Sequence, residues 1–149
     1  MPAKPAISGP MSLALEEARR AAARGEVPVG AALVQKGVVV TCAGNRMRET
    51  GDPTAHAEML VIRAAAGAER LTGTDMYVTL EPCAMCAAAI SFARIRRLYF
   101  GAYDPKAGAV ESGVRFFDQA TCHHSPEVYG GIAESEAAAL LVAFFKSRR

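Results

Sequence analysis

Long apolar runs are missing from this chain. No stretch approaches the ~20 consecutive apolar residues that a membrane-spanning helix needs, so no such helix is expected. Nothing near the N-terminus reads as a secretory signal with an apolar core. Cysteine is scarce, with four in 149 residues. Two of them, Cys83 and Cys86, form a pair with metal-ligand spacing, which argues against a disulfide framework and for a reducing, cytoplasmic setting. Neither sign of charge is in excess. A formal net charge of +2 is far weaker than the footprint of a strongly basic nucleic-acid-binding domain, so it permits an RNA partner without arguing for one. No internal repeat divides the sequence.

What is present is ordinary for a globular protein: 51% hydrophobic and 21% charged residues, in a length that suits one domain with a core needing no disulfide staples. Residues 1–10 are rich in Pro and small side chains and read as a disordered tail; residues 11–149 read as the domain.

The apolar positions Leu13, Leu15, Ala18 and Ala22 predict a helix over 11–24, with Ser12 as its cap and Gly25 as its stop. Val27 to Val34 and Val38 to Val40, separated by Gln35-Lys36-Gly37, predict a hairpin. Residues 45–53 are polar and loop-like. Helices are expected over 56–66, 83–93 and 135–146, strands over 75–80, 97–100 and 127–129, and a mostly irregular stretch over 102–126 with a short turn near 114–117. Strands alternating with helices imply an α/β domain with helices on both faces of a sheet, and the hairpin makes that sheet mixed.

Chemistry is concentrated in two short strings. His56-Ala57-Glu58 opens one predicted helix, and Pro82-Cys83-Ala84-Met85-Cys86 opens another. His56, Cys83 and Cys86 offer three ligands for zinc, and a catalytic zinc keeps a further position for water where a structural one closes with four protein ligands. Cysteines three apart on a first helical turn share a face, and the positive end of the helix favours their thiolates. Glu58 is the candidate acid–base group: one carboxylate can take a proton from water and deliver it to a ring nitrogen and a departing amine. A His-x-Glu string followed by Pro-Cys-x-x-Cys is the signature of zinc deaminases.

Simpler readings exist for each residue. Glu58 could be a first-turn acid stabilised by the helix dipole. Cys42, within an apolar strand, is read as core. Glu81 is read as support for the site's backbone. Cys122-His123-His124 is read as a polar loop with one histidine lining the pocket; a fourth zinc ligand or a second metal is the alternative.

Around the two strings, Glu26-Val27-Pro28-Val29-Gly30-Ala31, Gly44-Asn45-Arg46, Asp52-Pro53-Thr54-Ala55, Tyr77-Val78-Thr79-Leu80-Glu81, Phe100-Gly101-Ala102, Asp104-Pro105-Lys106-Ala107-Gly108 and Phe144-Phe145 closely resemble the bacterial tRNA-specific adenosine deaminases, from about Ala14 to the C-terminus. The resemblance implies a three-layer α/β/α sandwich with a five-stranded mixed sheet of the cytidine deaminase type, one zinc per subunit and a homodimer. It implies conversion of adenosine to inosine at the wobble position of a tRNA anticodon stem-loop, that of an arginine tRNA. It also implies that Asn45 hydrogen-bonds the flipped base, that Val29 and Leu80 line its pocket, that Asp104 lies near the ribose and backbone, and that Phe144, Phe145 and Arg148 meet neighbouring nucleotides. Val29 and Leu80 are equally explained as core, Phe144-Phe145 as a packing pair, Asn45 as a turn residue and Arg148 as part of a solvated tail.

The chain departs from that family at Cys122-His123-His124-Ser125-Pro126-Glu127, where an Asn-His-Arg-like segment is usual. A basic residue is therefore missing there. That departure motivates a second reading, a deaminase of a free base or nucleoside of the guanine or cytosine type. A third reading, a non-catalytic zinc-stabilised scaffold that binds RNA, requires a fourth protein ligand.

Overall fold

The computed structural model describes residues 9–67 and 71–148. In chain order it contains α1 (Pro10–Ala23), β1 (Gly30–Gln35), β2 (Val38–Gly44), α2 (Met47–Thr50), α3 (Ala57–Ala65), β3 (Thr74–Leu80), α4 (Ala84–Ala93), β4 (Arg97–Ala102), a 3-10 turn (Phe116–Asp118), β5 (Glu127–Tyr129) and α5 (Glu134–Ser147). The five strands form one sheet in the order β2-β1-β3-β4-β5. β1 is antiparallel to both β2 and β3, while β3, β4 and β5 run parallel. The expected α/β/α sandwich with a mixed sheet is what the chain adopts.

The hairpin is enforced locally. Lys36 and Gly37 both have positive φ, 52° and 76°. A two-residue turn of that hand matches the right-handed twist of the strands it joins. Alternation along the strands then sorts the core. Ala31, Leu33, Met76, Val78, Leu98 and Phe100 pack with Ala57 and Val61 of α3 and with Ala87 and Ile90 of α4. On the opposite face α1 and α5 meet the sheet through Met11, Ala14, Leu15, Ala102 and Ala137. Gly30 and Gly44, paired across β1 and β2, make a flat seat for α1. A Cβ on Gly30 would stand 1.9 Å from the Ala14 carbonyl oxygen, and one on Gly44 would stand 2.6 Å from that of Glu17.

Several boundaries differ from the sequence expectation. α1 starts at Pro10, with Gly9 at its cap and no side-chain cap bond, so Ser12 lies inside the helix. Of the expected tail, residues 1–8 lie outside the described residues. The polar stretch 45–53 is not all loop: it holds the single turn α2, whose first free amides are taken by a buried acid from elsewhere. Both carboxylate oxygens of Glu26 accept, Oε1 from Arg48 N at 3.0 Å and Oε2 from Glu49 N at 2.9 Å. Such capping depends on tertiary placement and leaves no local signal.

The sheet's polarity decides where chemistry can sit. β1 runs opposite to β3, so the start of β1, the end of β2 and the end of β3 lie at one edge, with the segment after β4 beside them. Val29, Asn45, Leu80 and Asp104 come from those four places.

Candidate active site

His56 and Cys83 are helix caps rather than first-turn residues. Both have extended backbones, with ψ of 151° and 176°, at the N-caps of α3 and α4. Cys86 is three residues further on and fully buried. Pro82 thus precedes the cap, where its missing N–H costs nothing. Two helix N-termini, each with partial positive charge, converge on the same point.

The donors fit zinc. A tetrahedral ion with Zn–N about 2.1 Å and Zn–S about 2.3 Å holds its N and S donors about 3.6 Å apart. His56 Nδ1 lies 3.5 Å from Cys86 Sγ and 3.7 Å from Cys83 Sγ. Among the described residues this is the one group of three or more His, Cys, Asp or Glu side chains placed to share an ion. The hydrogen bond to Cys83, with Glu58 and the Pro53 carbonyl adding to it, raises the His56 pKa against the effect of burial. The two sulfurs behave as a pair. Hydrogen bonding from Cys86, opposed by burial and helped by His56, holds the Cys83 thiol down to about 4. Its bond to Cys83, together with burial, pushes Cys86 up.

Beside the triangle is a cavity of about 160 Å³, lined by Val27, Val29, Asn45, Met47, His56, Glu58, Leu80, Glu81, Cys83, Asp104 and Ala107. At ~30 Å³ per water it has room for about five waters, the scale of one heterocyclic base. Glu58 is 4% exposed. Burial pushes its carboxyl up to about 7, against the lowering influence of its own backbone and of His56. A dication held in the triangle acts in the opposite direction. Asn45 is equally buried, and its Oδ1 accepts from Ala57 N at 2.8 Å. That bond fixes the amide, and its NH₂ has no protein partner among the described residues, so it is free to donate into the cavity.

Of the residues expected at the site, His56, Cys83, Glu58, Asn45, Val29, Leu80 and Asp104 line this cavity, and Cys86 stands behind it as the buried corner of the triangle. Phe144, Phe145 and Arg148 do not line it. Phe144 is 9% exposed and edge-on to Phe145, with the Arg148 guanidinium 4.3 Å above its ring. Phe145 remains 53% exposed. Arg148 reaches back over Gly25, where a Cβ would lie 3.5 Å from its Nη2 and 3.6 Å from Arg48 Nη1. Arg48, one residue after the cavity residue Met47, escaped the sequence reading, as did Met47; nothing in a four-residue helix announces either. Glu26 left one usable trace, a lone acid leading into the apolar run Val27-Pro28-Val29.

Two further expectations are settled by position. Cys42 is half-buried, and its thiol points to Glu17 at 3.6 Å; burial and that carboxylate push it up, away from the reactive thiolate. Cys122, His123 and His124 form a loop at the far end of α4. Ser91 Oγ lies 3.5 Å from Cys122 Sγ and donates to the His124 carbonyl at 2.7 Å, while Arg94 Nη1 donates to that of His123 at 3.2 Å. Ser91 is five residues beyond Cys86, about 7.5 Å of helix rise. The loop supplies no ligand to the triangle, and neither histidine lines the catalytic cavity.

Comparison with known proteins agrees with this geometry. Over residues 7–102 the chain matches the cytidine and deoxycytidylate deaminase zinc-binding region. Fold and donor set together define a zinc-dependent hydrolytic deaminase. The chain is 66% identical over 142 residues to the tRNA-specific adenosine deaminase of Agrobacterium fabrum, covering 93% of each, and 43% identical to that of Bacillus subtilis, covering 93% of this chain and 88% of the relative. A solved structure from biochemical and structural studies of A-to-I editing by tRNA:A34 deaminases at the wobble position of transfer RNA is 68% identical. It superposes with a TM-score of 0.86 over 88% of this chain and 97% of its own. The chain belongs to the tRNA-specific adenosine deaminase family.

Proposed function

We propose that this protein deaminates adenosine to inosine at the wobble position of a tRNA anticodon. The carrying observation is a complete zinc-deaminase site in a chain 68% identical to a structure from work on A34 deaminases. Zinc, when bound by His56, Cys83 and Cys86, supplies the Lewis acid that makes water a nucleophile near neutral pH. Glu58 does the proton work. Its carboxylate takes a proton as water oxygen bonds to C6 of the purine and delivers it to N1, then takes the remaining proton of the new C6 hydroxyl and passes it to the exocyclic nitrogen. The C6–N6 bond then breaks, and ammonia leaves with inosine remaining. The Asn45 amide, fixed through Ala57 N, donates to an acceptor on the base and sets its orientation. Val29 and Leu80 pack on the faces of the ring, and Asp104 stands where the ribose enters. The base must leave its stack to reach this depth, which single-stranded anticodon loops allow.

The arginine-tRNA assignment follows from the family resemblance. Exposed Phe145, with Arg148 and Arg48 near the turn at Gly25, supplies an aromatic face and two cations for the flanking nucleotides. Anticodon stem-loops bearing adenosine at the wobble position, incubated with the zinc-loaded protein and sequenced for inosine, test the reading. Conversion of the arginine stem-loop is the expected result. No conversion of any such loop, or turnover of free guanine or cytosine alone, would defeat it. The altered segment 122–127, which motivates the free-base reading, supplies no residue to the cavity lining. The scaffold reading needed a fourth protein ligand, and none joins the triangle among the described residues.

A tRNA-modifying enzyme works where tRNA is, so we infer a cytoplasmic protein. Among the described residues, no helix is long and apolar enough to cross a membrane. We also infer a homodimer. α4 carries no charged residue, yet Phe92 on its outer side is 77% exposed. Phe92 borders a hollow of about 180 Å³ lined also by Ala88 and Phe116. A projecting ring and an apolar recess on one patch suit a two-fold interface, where the same surface serves both copies. Light scattering is expected to give twice the 15.7 kDa chain mass, and Phe92→Asp is expected to give the monomer. A wild-type monomer at micromolar concentration contradicts the assignment.

A further inference from the structure

Glu81 is buried and lines the cavity beside Glu58, yet it is built for a different task. Its two carboxylate oxygens accept five hydrogen bonds. Oε1 receives Asp104 N and Ser112 Oγ, each at 3.0 Å. Oε2 receives Val110 N at 3.1 Å, Glu111 N at 2.8 Å and Ser112 N at 2.9 Å. A carboxylate offers about four lone-pair sites, so Glu81 has no capacity left to move a proton.

All five donors belong to the segment 104–112 after β4. That segment has no helix or strand of its own, but Asp104 and Ala107 form one wall of the cavity. Other bonds complete the attachment. Ala109 N donates to the Pro82 carbonyl at 2.9 Å, and Gly108 forms a single antiparallel bridge with Cys83. Gly108 is required for this approach, because a Cβ there would lie 2.6 Å from the Glu81 carboxyl carbon and 2.5 Å from the Asp104 carbonyl oxygen. In the chain, Glu81 stands between the cavity residue Leu80 and the turn that carries Cys83. It is thus the side chain through which the metal turn and the substrate wall are tied together.

We propose that Glu81 is a positioning residue that fixes the Asp104–Ala107 wall at a set distance from the metal turn, and so governs how tightly the flipped nucleotide is held. The proposal rests on the wobble-deaminase reading for its substrate. Its mechanism is that of a preorganised carboxylate clamp: successive amides converge on one anion, and the loop is ordered before RNA arrives. A clamp of this kind acts on binding, because a loosened wall must be reordered each time a nucleotide enters.

The test is Glu81→Gln in the zinc-loaded full chain. An amide places an NH₂ against two or three donors, opening the clamp with little change in volume. Amide hydrogen exchange at residues 104 and 110–112 is expected to accelerate about 10- to 100-fold, the loss of about one bond to a charged acceptor, while α3 and α4 keep their protection. KM for the anticodon stem-loop is expected to rise by about tenfold with kcat lowered less than about threefold, the signature of lost binding rather than lost chemistry. Zinc content should stay at one per chain. Unchanged exchange and KM overturn the proposal, as do loss of zinc and a fall in kcat at constant KM. Should Glu81→Gln fail to fold, Ser112→Ala removes one donor to Oε1; faster exchange of the Asp104 amide and a smaller rise in KM support the clamp, and wild-type behaviour sinks it. If the wild-type chain leaves every stem-loop unconverted, the wobble reading fails instead, and the exchange measurement still decides whether the clamp exists.

Discussion

Glu58→Gln is expected to lower deamination by about 10²- to 10⁴-fold while the protein still holds one zinc per chain. The substitution keeps the size of the side chain and removes its ability to carry a proton. The separation of the two readouts is what makes the result informative. Glu58 lies outside the donor triangle, which closes on His56, Cys83 and Cys86 with N-to-S distances of 3.5 and 3.7 Å. Metal analysis beside inosine sequencing checks it. Full activity with Gln, or zinc lost along with activity, would mean that the proton work or the ligand set is misassigned. In the metal-free site burial pushes this carboxyl up to about 7; Glu81, in the same cavity, is held below the ordinary carboxylate range, because amides from Asp104, Glu111 and Ser112 outweigh the effect of its burial. Two acids in one cavity are thus driven in opposite directions by their surroundings, which is how acid–base roles divide in such sites.

Cys83→Ala and Cys86→Ala are each expected to abolish both zinc binding and activity, leaving folded protein. Two protein donors do not hold zinc in the presence of competing chelator, since the affinity of such sites comes from the full ligand set acting together. The fold is expected to persist because neither core cluster includes a metal-held contact: β1, β3 and β4 pack on α3 and α4 through a continuous set of apolar side chains. Circular dichroism of either variant, or of chelated wild type, should therefore keep its far-ultraviolet signal. The unfolding temperature should fall by the linkage contribution of the bound ion, which grows with the ratio of free zinc to its dissociation constant. Unfolding on chelation would contradict this, and would make the site structural in the manner of a zinc finger.

The Cys pair also shows how far a sequence carries. Spacing three apart after Pro predicts two sulfurs on one face of a helix start, and that is correct in substance. Whether Cys83 is the cap or the first helical residue depends on a single ψ angle, and no residue type encodes it. Glu26 illustrates a deeper limit. Its carboxylate caps the start of α2 from more than twenty positions away, while Gly51, left-handed at the other end, marks the turn at Met47–Thr50 locally, too weakly for the sequence to read as more than loop. The segment 122–127 illustrates a third. Its two histidines and cysteine look like ligands as composition, and only the length of α4 separates them from the donor triangle.

By itself the sequence determined the donor set, the acid beside it and the alternation of strands and helices. Those features are written in short-range spacing: residues two or three apart, turns of one hand, apolar residues with the period of their element. The tertiary structure alone decided that β1 runs against β3, which puts Val29, Asn45, Leu80 and Asp104 at the same edge of the sheet. It alone decided which five donors, all from the segment 104–112, Glu81 holds. Those outcomes depend on contacts between residues far apart in the chain, whose energies exist only once the sheet and its two helical layers have closed around them.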